Sequence, residues 1–131
     1  MENANKSSIL YIEDDPEMID LVSLILTRQG FQVIGAHGGR EGLELVKQSQ
    51  PDLILLDLMM PDIDGWDVYQ QLKSAETTRD IPVIIITAKS QKIDRVLGVQ
   101  IAKVDDYISK PFRPGELIES IKKILARINS H

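Results

Sequence analysis

The chain has 131 residues, and 15 lysines and arginines against 20 aspartates and glutamates give it a net charge of −5 with both histidines neutral. A chain of this length builds one domain with an ordinary hydrophobic core, and the absence of cysteine excludes disulfides, thiolate metal sites and thiol nucleophiles. The acidic balance argues against direct nucleic-acid binding, and no apolar run suffices for a membrane span or a secretory signal, so we expect a cytoplasmic protein.

Five short apolar runs follow one another along the chain, which is typical of a parallel sheet that helices cover on both faces. They are residues 9–12, 31–34, 53–56, 83–86 and, more weakly, 106–108. Segments with the period of a helix separate them. The two clear helical stripes consist of Met18, Leu21, Val22, Ile25 and Leu26 and of Leu117, Ile121, Ile124, Leu125 and Ile128. Weaker stripes lie at residues 43–46, 66–72 and 93–97.

This alternation of strands and helices favours a doubly wound α/β sheet, because five strands are too few for an eight-stranded barrel. We predict a flavodoxin-like (βα)5 three-layer sandwich, whose parallel sheet has the strand order 2-1-3-4-5 of that fold. The domain is expected to span residues 8–128, after a disordered N-terminal tail at 1–7 and before a short C-terminal tail at 129–131.

Polar residues stand at the carboxyl ends of four runs, where ligands bind in sheets of this kind. They are Glu13, Asp14 and Asp15 after the first run, Asp57 after the third, Thr87 after the fourth and Ser109 and Lys110, which precede Pro111, after the fifth. Asp15 is placed to cap the helix that begins at Pro16, whereas Asp57 ends the most apolar run and is poorly explained as a surface residue.

Clustered carboxylates repel one another, so each resists ionisation unless a cation lies among them. Oxygen ligands without histidine or cysteine nearby suit Mg²⁺, which binds one or two carboxylates together with a phosphate. Lys110 and Thr87 have no evident use until an anion arrives. A phosphoryl group would use the lysine as a point charge and the threonine as a hydrogen-bond donor.

Four segments of the chain resemble the signatures of response-regulator receiver domains of two-component signalling. They are ILYIEDDP at 9–16, LILLDLMMPDIDGW at 53–66, PVIIITA at 82–88 and DDYISKPF at 105–112. The resemblance implies a phosphorylation-controlled signalling module and not an enzyme with an external substrate. The module would be either a free-standing, chemotaxis-type receiver or a receiver excised from a longer protein.

The resemblance also implies a role for each matching residue. Asp57 would accept a phosphoryl group from the phosphohistidine of a sensor histidine kinase or a phosphotransfer protein, forming an aspartyl phosphate. Asp14, Asp57 and the backbone carbonyl of Met59 would bind Mg²⁺, with Glu13 acting nearby or through water. Thr87 and Lys110 would bind the phosphoryl oxygens.

The resemblance further implies that the peptide bond before Pro111 is cis. It also implies which residues transmit the change from the site to the output face. Tyr107 would be the aromatic switch that turns inward when Thr87 moves, and Ala88 would leave room for the phosphoryl group. Met59 and Lys89 would flank the path of the hydrolytic water and tune dephosphorylation.

The expected output face comprises the helix predicted from about Gln91, the strand at Tyr107 and the final helix. It would control a downstream protein target or a homodimer, with no direct contact to nucleic acid or membrane. Its charged residues are Arg95, Asp105, Asp106 and Arg127.

The sequence departs from the family pattern in two places. The connection at 99–104 is about one residue longer than usual and lacks the customary Gly-Ala before Asp105, which affects the geometry of the output face. Arg113 stands where family members often place a capping Asp, Asn or Ser.

Two other functions fit part of the pattern. A Mg²⁺-dependent phosphohydrolase with an aspartyl nucleophile commonly carries a second aspartate two residues later, but here that residue is Met59. A degenerate receiver would bind partners without phosphorylation, but the set of Asp14, Asp57, Thr87 and Lys110 is complete. The switch is therefore favoured.

Overall fold

The computed structural model describes residues 6–88 and 104–129. The strands are β1 (Ser8–Ile12), β2 (Gln32–Ala36), β3 (Leu53–Asp57), β4 (Val83–Ala88) and β5 (Asp106–Lys110). The helices of the described ranges are α1 (Pro16–Thr27), α2 (Gly39–Ser49), α3 (Gly65–Ser74) and α4 (Pro114–Asn129). The helix predicted around residues 93–97 lies outside the described residues, as do Lys89, Gln91 and Arg95.

The strands form one parallel sheet in the order β2-β1-β3-β4-β5, which confirms the predicted topology. Successive residues of a strand point to opposite faces, and β1 feeds two hydrophobic clusters in this way. Ile9 and Tyr11 join the cluster beneath α1 and α4, whereas Leu10 and Ile12 join the cluster beneath α2 and α3. In the ranges 6–88 and 104–129, none of the helices is long and apolar enough to cross a membrane.

The strands continue past the apolar runs into the polar residues. Asp57 is the last residue of β3 and pairs with Ile86, while Thr87 of β4 pairs with Ser109 and Lys110 ends β5. The expectation that these side chains follow the strands is therefore wrong by one residue for β3 and by two residues for β4 and β5. Their backbones belong to the hydrogen-bonded ladder, which holds them rigidly.

Two other boundaries also differ from the sequence prediction. The second strand begins at Gln32 and not at Phe31, because the N–H of Phe31 donates to the carbonyl of Leu26 in the turn that closes α1. Helix α4 continues through Asn129, one residue beyond the predicted end of the domain.

Side-chain caps fix the starts of α1 and α4. Asp15 accepts a hydrogen bond from the N–H of Glu17, and Pro16 occupies the first turn of α1 as predicted. At α4, the N–H of Arg113 donates to Glu116 Oε1 at 3.4 Å. Glu116 therefore supplies part of the cap that the arginine side chain cannot provide.

Two contacts hold the loop that follows β3. A Cβ on Gly65 would overlap the backbone of Asp57 and Leu58, so α3 can begin this close to the strand end only with glycine there. Asp62 of the same loop accepts hydrogen bonds from the first two N–H groups of α2. The chain beyond Asp57 is therefore fixed to both neighbouring helices.

Candidate functional site

Three acidic side chains meet at the carboxyl edge of the sheet. Carboxylate oxygens of Glu13, Asp14 and Asp57 lie within 4.8 Å of one another. Glu13 and Asp57 are 1% and 3% exposed, and Asp14 lies nearer the surface. The polar residues at the ends of β1 and β3 thus converge, as the sequence predicts.

A lysine from β5 bridges two of these carboxylates. Lys110 Nζ lies 2.8 Å from Glu13 Oε1 and 3.5 Å from Asp57 Oδ2. The expectation that Lys110 has no evident use until an anion arrives is therefore wrong, because its ammonium already balances these carboxylates. Two carboxylates removed from water need a cation, and the end of β5 supplies one. These partners raise the pKa of Lys110, although burial alone would lower it.

Glu13 receives three hydrogen bonds. The hydroxyl of Tyr11 and the ammonium of Lys110 each donate to Oε1 at 2.8 Å, and the N–H of Asp15 donates to Oε2 at 3.2 Å. Burial alone would raise the pKa of Glu13, but the bonds from Lys110 and Tyr11 outweigh it and hold the pKa below its usual value. Glu13 is therefore a stable anion.

Asp57 is less well supplied with donors. The N–H of Met59 donates to its Oδ1 at 3.2 Å, and Lys110 is 3.5 Å from its Oδ2. Burial, followed by the negative charge of Glu13, raises the pKa of Asp57 to about 7. Burial and the Glu13 carboxylate also raise the pKa of Asp14. The repulsion expected among the carboxylates thus raises the pKa of Asp57 and of Asp14 but not that of Glu13.

Thr87 is buried at the same edge of the sheet and is 0% exposed. Among the buried side-chain oxygens and nitrogens of residues 6–88 and 104–129, its Oγ1 alone has no hydrogen-bond partner. A buried hydroxyl without a partner costs free energy, so natural proteins keep few of them. An anion bound at the carboxylate cluster would accept a hydrogen bond from this hydroxyl.

Three further predicted features have defined positions. Tyr107 is half-buried against the cluster beneath α2 and α3, and its hydroxyl accepts a hydrogen bond from Ser109 at 3.2 Å. The Met59 side chain is 56% exposed. The Lys110–Pro111 peptide bond is cis, as the resemblance implies.

The described part of the expected output face carries two charge pairs. Arg127 lies 2.8 Å from Asp105, whose other oxygen accepts a hydrogen bond from the N–H of Val83. Lys123 lies 4.0 Å from Asp106, and Ser120 donates a hydrogen bond to the same aspartate. These contacts join α4 to the strands.

Sequence reasoning assigned no role to Tyr11. Its side chain is fully buried, and its hydroxyl reaches the acidic cluster through Glu13. Strand alternation contained the signal, because residues 11 and 13 lie on the same face of an extended chain. A tyrosine two residues before an acid at the end of a buried strand indicates such a contact.

The response regulator receiver domain family model matches residues 9–122. The chain therefore belongs to the receiver domain family of two-component response regulators. The signal receiver domain of a signal transduction histidine kinase from Syntrophus aciditrophicus is 33% identical, with a TM-score of 0.86 over 93% of this chain and 92% of that one. A CheY-like receiver domain protein from Methanospirillum hungatei is 27% identical, with a TM-score of 0.86 over 96% and 98% of the two chains.

Curated relatives are transcriptional regulators of greater length. The DNA-binding dual master transcriptional regulator RpaA of Synechocystis sp. is 44% identical over 119 residues, which are 91% of this chain and 49% of RpaA. The chain spans about half the length of the curated relatives it matches. The similarity therefore concerns their receiver portion.

Proposed function

We propose that the chain is a phosphorylation-controlled switch in which Asp57 accepts a phosphoryl group in a Mg²⁺-dependent reaction. One observation carries the proposal. Three carboxylates, a lysine and a buried threonine hydroxyl without a described partner lie together at one edge of a receiver-domain sheet. The carboxylates suit a divalent cation, whereas the lysine and the hydroxyl suit phosphoryl oxygens.

The proposed step is an attack by a carboxylate oxygen of Asp57 on the phosphorus of a phosphohistidine. A P–O bond forms, the P–N bond breaks, and its electron pair leaves with the imidazole, which takes up a proton from solvent. The phosphohistidine belongs to a sensor histidine kinase or a phosphotransfer protein. Only the ionised form of Asp57 is nucleophilic, so a cation that lowers its pKa from about 7 increases the reactive fraction.

The residues present fit Mg²⁺. Their ligand atoms are all oxygens, and a span of 4.8 Å lets one ion contact more than one of them. Asp14, Asp57 and the Met59 carbonyl would hold the ion. Glu13 already binds Lys110 and Tyr11, which suits a role nearby or through water. When bound, Mg²⁺ supplies positive charge beside the phosphoryl oxygens and the Asp57 carboxylate.

Thr87 and Lys110 are the proposed partners of the acyl phosphate. The Thr87 hydroxyl, which has no partner among the described residues, donates to a phosphoryl oxygen, and Lys110 is already 3.5 Å from the Asp57 carboxylate. A charge-assisted hydrogen bond is worth roughly 1.5–3 kcal/mol, and moving a 1:99 equilibrium to 99:1 needs about 5.5 kcal/mol. Both residues are therefore needed to drive Tyr107 inward and to change the output face.

The output proposed for this face is control of a downstream protein or of homodimerisation. The charge pairs of Asp105 and Asp106 with α4 provide contacts that a phosphorylated state can exchange for contacts with a partner. The same proposal includes a cytoplasmic location and a domain that begins at residue 8 and extends to the end of α4. Met59 and Lys89 are proposed to slow hydrolysis of the acyl phosphate, because neither side chain can accept a proton from water at that position.

The test is a time course of intact mass in the presence of Mg²⁺ and a small acyl phosphate. We expect one added phosphate on the wild-type chain and on the control Asp52→Asn, whose aspartate is exposed, and none on Asp57→Asn. Sustained release of inorganic phosphate would instead identify a phosphohydrolase. An unchanged wild-type mass would identify a degenerate receiver.

A further inference from the structure

Tyr11 combines complete burial with a contact to the charged site. Its side chain is 0% exposed and belongs to the hydrophobic cluster beneath α1 and α4. A buried phenol needs a hydrogen-bond acceptor, and Glu13 Oε1 provides it at 2.8 Å. The aromatic ring anchors the hydroxyl in the core, so the donor has a fixed position.

The hydroxyl completes the set of donors that fixes both oxygens of Glu13. Tyr11 and Lys110 share Oε1, and the backbone N–H of Asp15 binds Oε2. With these three bonds the carboxylate cannot rotate without losing at least one of them. Its orientation determines where Lys110 lies, because the ammonium is 2.8 Å from Glu13 and 3.5 Å from Asp57.

We propose that Tyr11 is a positioning residue, which holds Glu13 so that Lys110 rests on Glu13 and leaves Asp57 accessible. Without the hydroxyl, the side chain of Glu13 is held by Lys110 and one backbone N–H and can turn away. Lys110 then moves toward Asp57 Oδ2 and occupies the carboxylate that has to bind a cation. This consequence for cation binding rests on the proposed function, whereas the effect on Lys110 does not.

The variant that tests the proposal is Tyr11→Phe, which keeps the ring in the core and removes only the hydroxyl. Tyr69→Phe is the matched control, since Tyr69 is also buried but belongs to the cluster on the opposite face of the sheet. A thermal melt verifies that each variant is folded before the other measurements.

The first measurement is the ¹⁵N NMR signal of the Lys110 ammonium in metal-free protein, assigned by its loss in Lys110→Ala. We expect a slowly exchanging signal in the wild type and in Tyr69→Phe, and a shifted or exchange-broadened signal in Tyr11→Phe. An identical signal in Tyr11→Phe would overturn the proposal. This result is independent of whether the chain binds Mg²⁺ or becomes phosphorylated.

The second measurement is the Mg²⁺ dissociation constant by calorimetry. Loss of one hydrogen bond of ordinary strength predicts a rise of about three- to tenfold in Tyr11→Phe and none in Tyr69→Phe. In a Lys110→Ala background, Tyr11→Phe should have no further effect, because Tyr11 acts through the lysine. A rise that persists in that background would indicate a merely structural role. A wild type that binds no Mg²⁺ would refute the proposed function, and the ammonium signal would then decide the role of Tyr11.

Discussion

The end of β1 and the end of β3 each carry a buried carboxylate, and the two share one lysine, yet their acidities move in opposite directions. Glu13 at the end of β1 has a lowered pKa, and Asp57 at the end of β3 has a pKa raised to about 7. Their exposures of 1% and 3% are nearly equal, so burial does not explain the difference. The difference in pKa arises from the number of hydrogen-bond donors to each carboxylate and from their distances.

The difference in pKa gives the two carboxylates different roles in the site. Glu13 accepts a short hydrogen bond from Lys110 and a second one from the Tyr11 hydroxyl. It therefore remains an anion and holds the Lys110 ammonium. Asp57 has the longer contact and one backbone donor, from Met59, so its charge stays poorly compensated. A carboxylate in that condition gains most from a cation, which suits the proposed role of Asp57 as the phosphoacceptor.

The largest expected effect comes from Asp57→Asn, which removes the poorly compensated charge. In the unfolded chain the pKa of Asp57 returns to about 3.8, so between pH 4 and 7 the folded protein holds a proton that the unfolded chain releases. Wild-type stability therefore falls as pH rises through this window, and the variant lacks this loss. At pH 8 and without metal we expect Asp57→Asn to be more stable by up to about 4 kcal/mol, with little difference at pH 4.

Urea unfolding at both pH values measures this effect. Asp20→Asn is the control, because Asp20 is an exposed residue of α1. If Asp57→Asn and the wild type kept the same stability difference at pH 4 and pH 8, Asp57 would not carry a poorly compensated charge in the folded protein.

The next effect is expected in Lys110→Ala, which removes the ammonium that contacts both Glu13 and Asp57. Burial then raises the pKa of Glu13 as well as that of Asp57, and the stability lost is greatest at high pH, where the unfolded chain is fully ionised. We expect a loss of about 3 kcal/mol at pH 8 and a smaller one at pH 4. The measurement is again urea unfolding.

Lys123→Ala provides the matched control, since Lys123 Nζ is 4.0 Å from its acidic partner and its side chain is 70% exposed. Its removal should change stability little at either pH. Equal losses in the two lysine variants would mean that the Lys110 contacts behave as ordinary surface ion pairs.

A smaller effect is expected in Glu13→Gln, which tests whether the two ends are coupled. The substitution removes a negative charge that raises the pKa of Asp57 and frees Lys110 to approach Asp57. The pKa of Asp57 should fall from about 7 by roughly one unit, equivalent to about 1.4 kcal/mol. Carboxyl ¹³C chemical shifts followed against pH measure it directly.

The control for this titration is Glu17→Gln, an exposed position in the first turn of α1. An Asp57 pKa that stayed near 7 in Glu13→Gln would show that burial alone sets it. The contrast between the two strand ends would then have no part in setting the pKa of the proposed phosphoacceptor.

The sequence predicts the sheet because its apolar runs and helical stripes reflect burial, which the fold requires at every position. Strand ends are less predictable, since Asp57 and Lys110 pair within the ladder although their side chains are polar. Chain order and strand order place Glu13, Asp57, Thr87 and Lys110 at one edge of the sheet. The convergence at this edge therefore follows from topology.

The internal contacts of the site are not predictable in this way. Topology does not reveal that Lys110 lies closer to Glu13 than to Asp57, because that depends on side-chain rotamers and on the third donor, Tyr11. The opposite pKa shifts depend on the same distances. Spacing identifies which groups meet, whereas atomic geometry determines which of them share protons and charge.

The central claim is that Asp57 carries the phosphoryl group, and reductive trapping tests it most directly. Wild-type protein is treated with Mg²⁺ and a small acyl phosphate, reduced with borohydride, and digested for peptide mapping, since the reduction converts an aspartyl phosphate to homoserine. We predict homoserine at position 57 alone, and none when Mg²⁺ is withheld. Homoserine at position 14, or none at all in phosphorylated protein, would contradict the assignment.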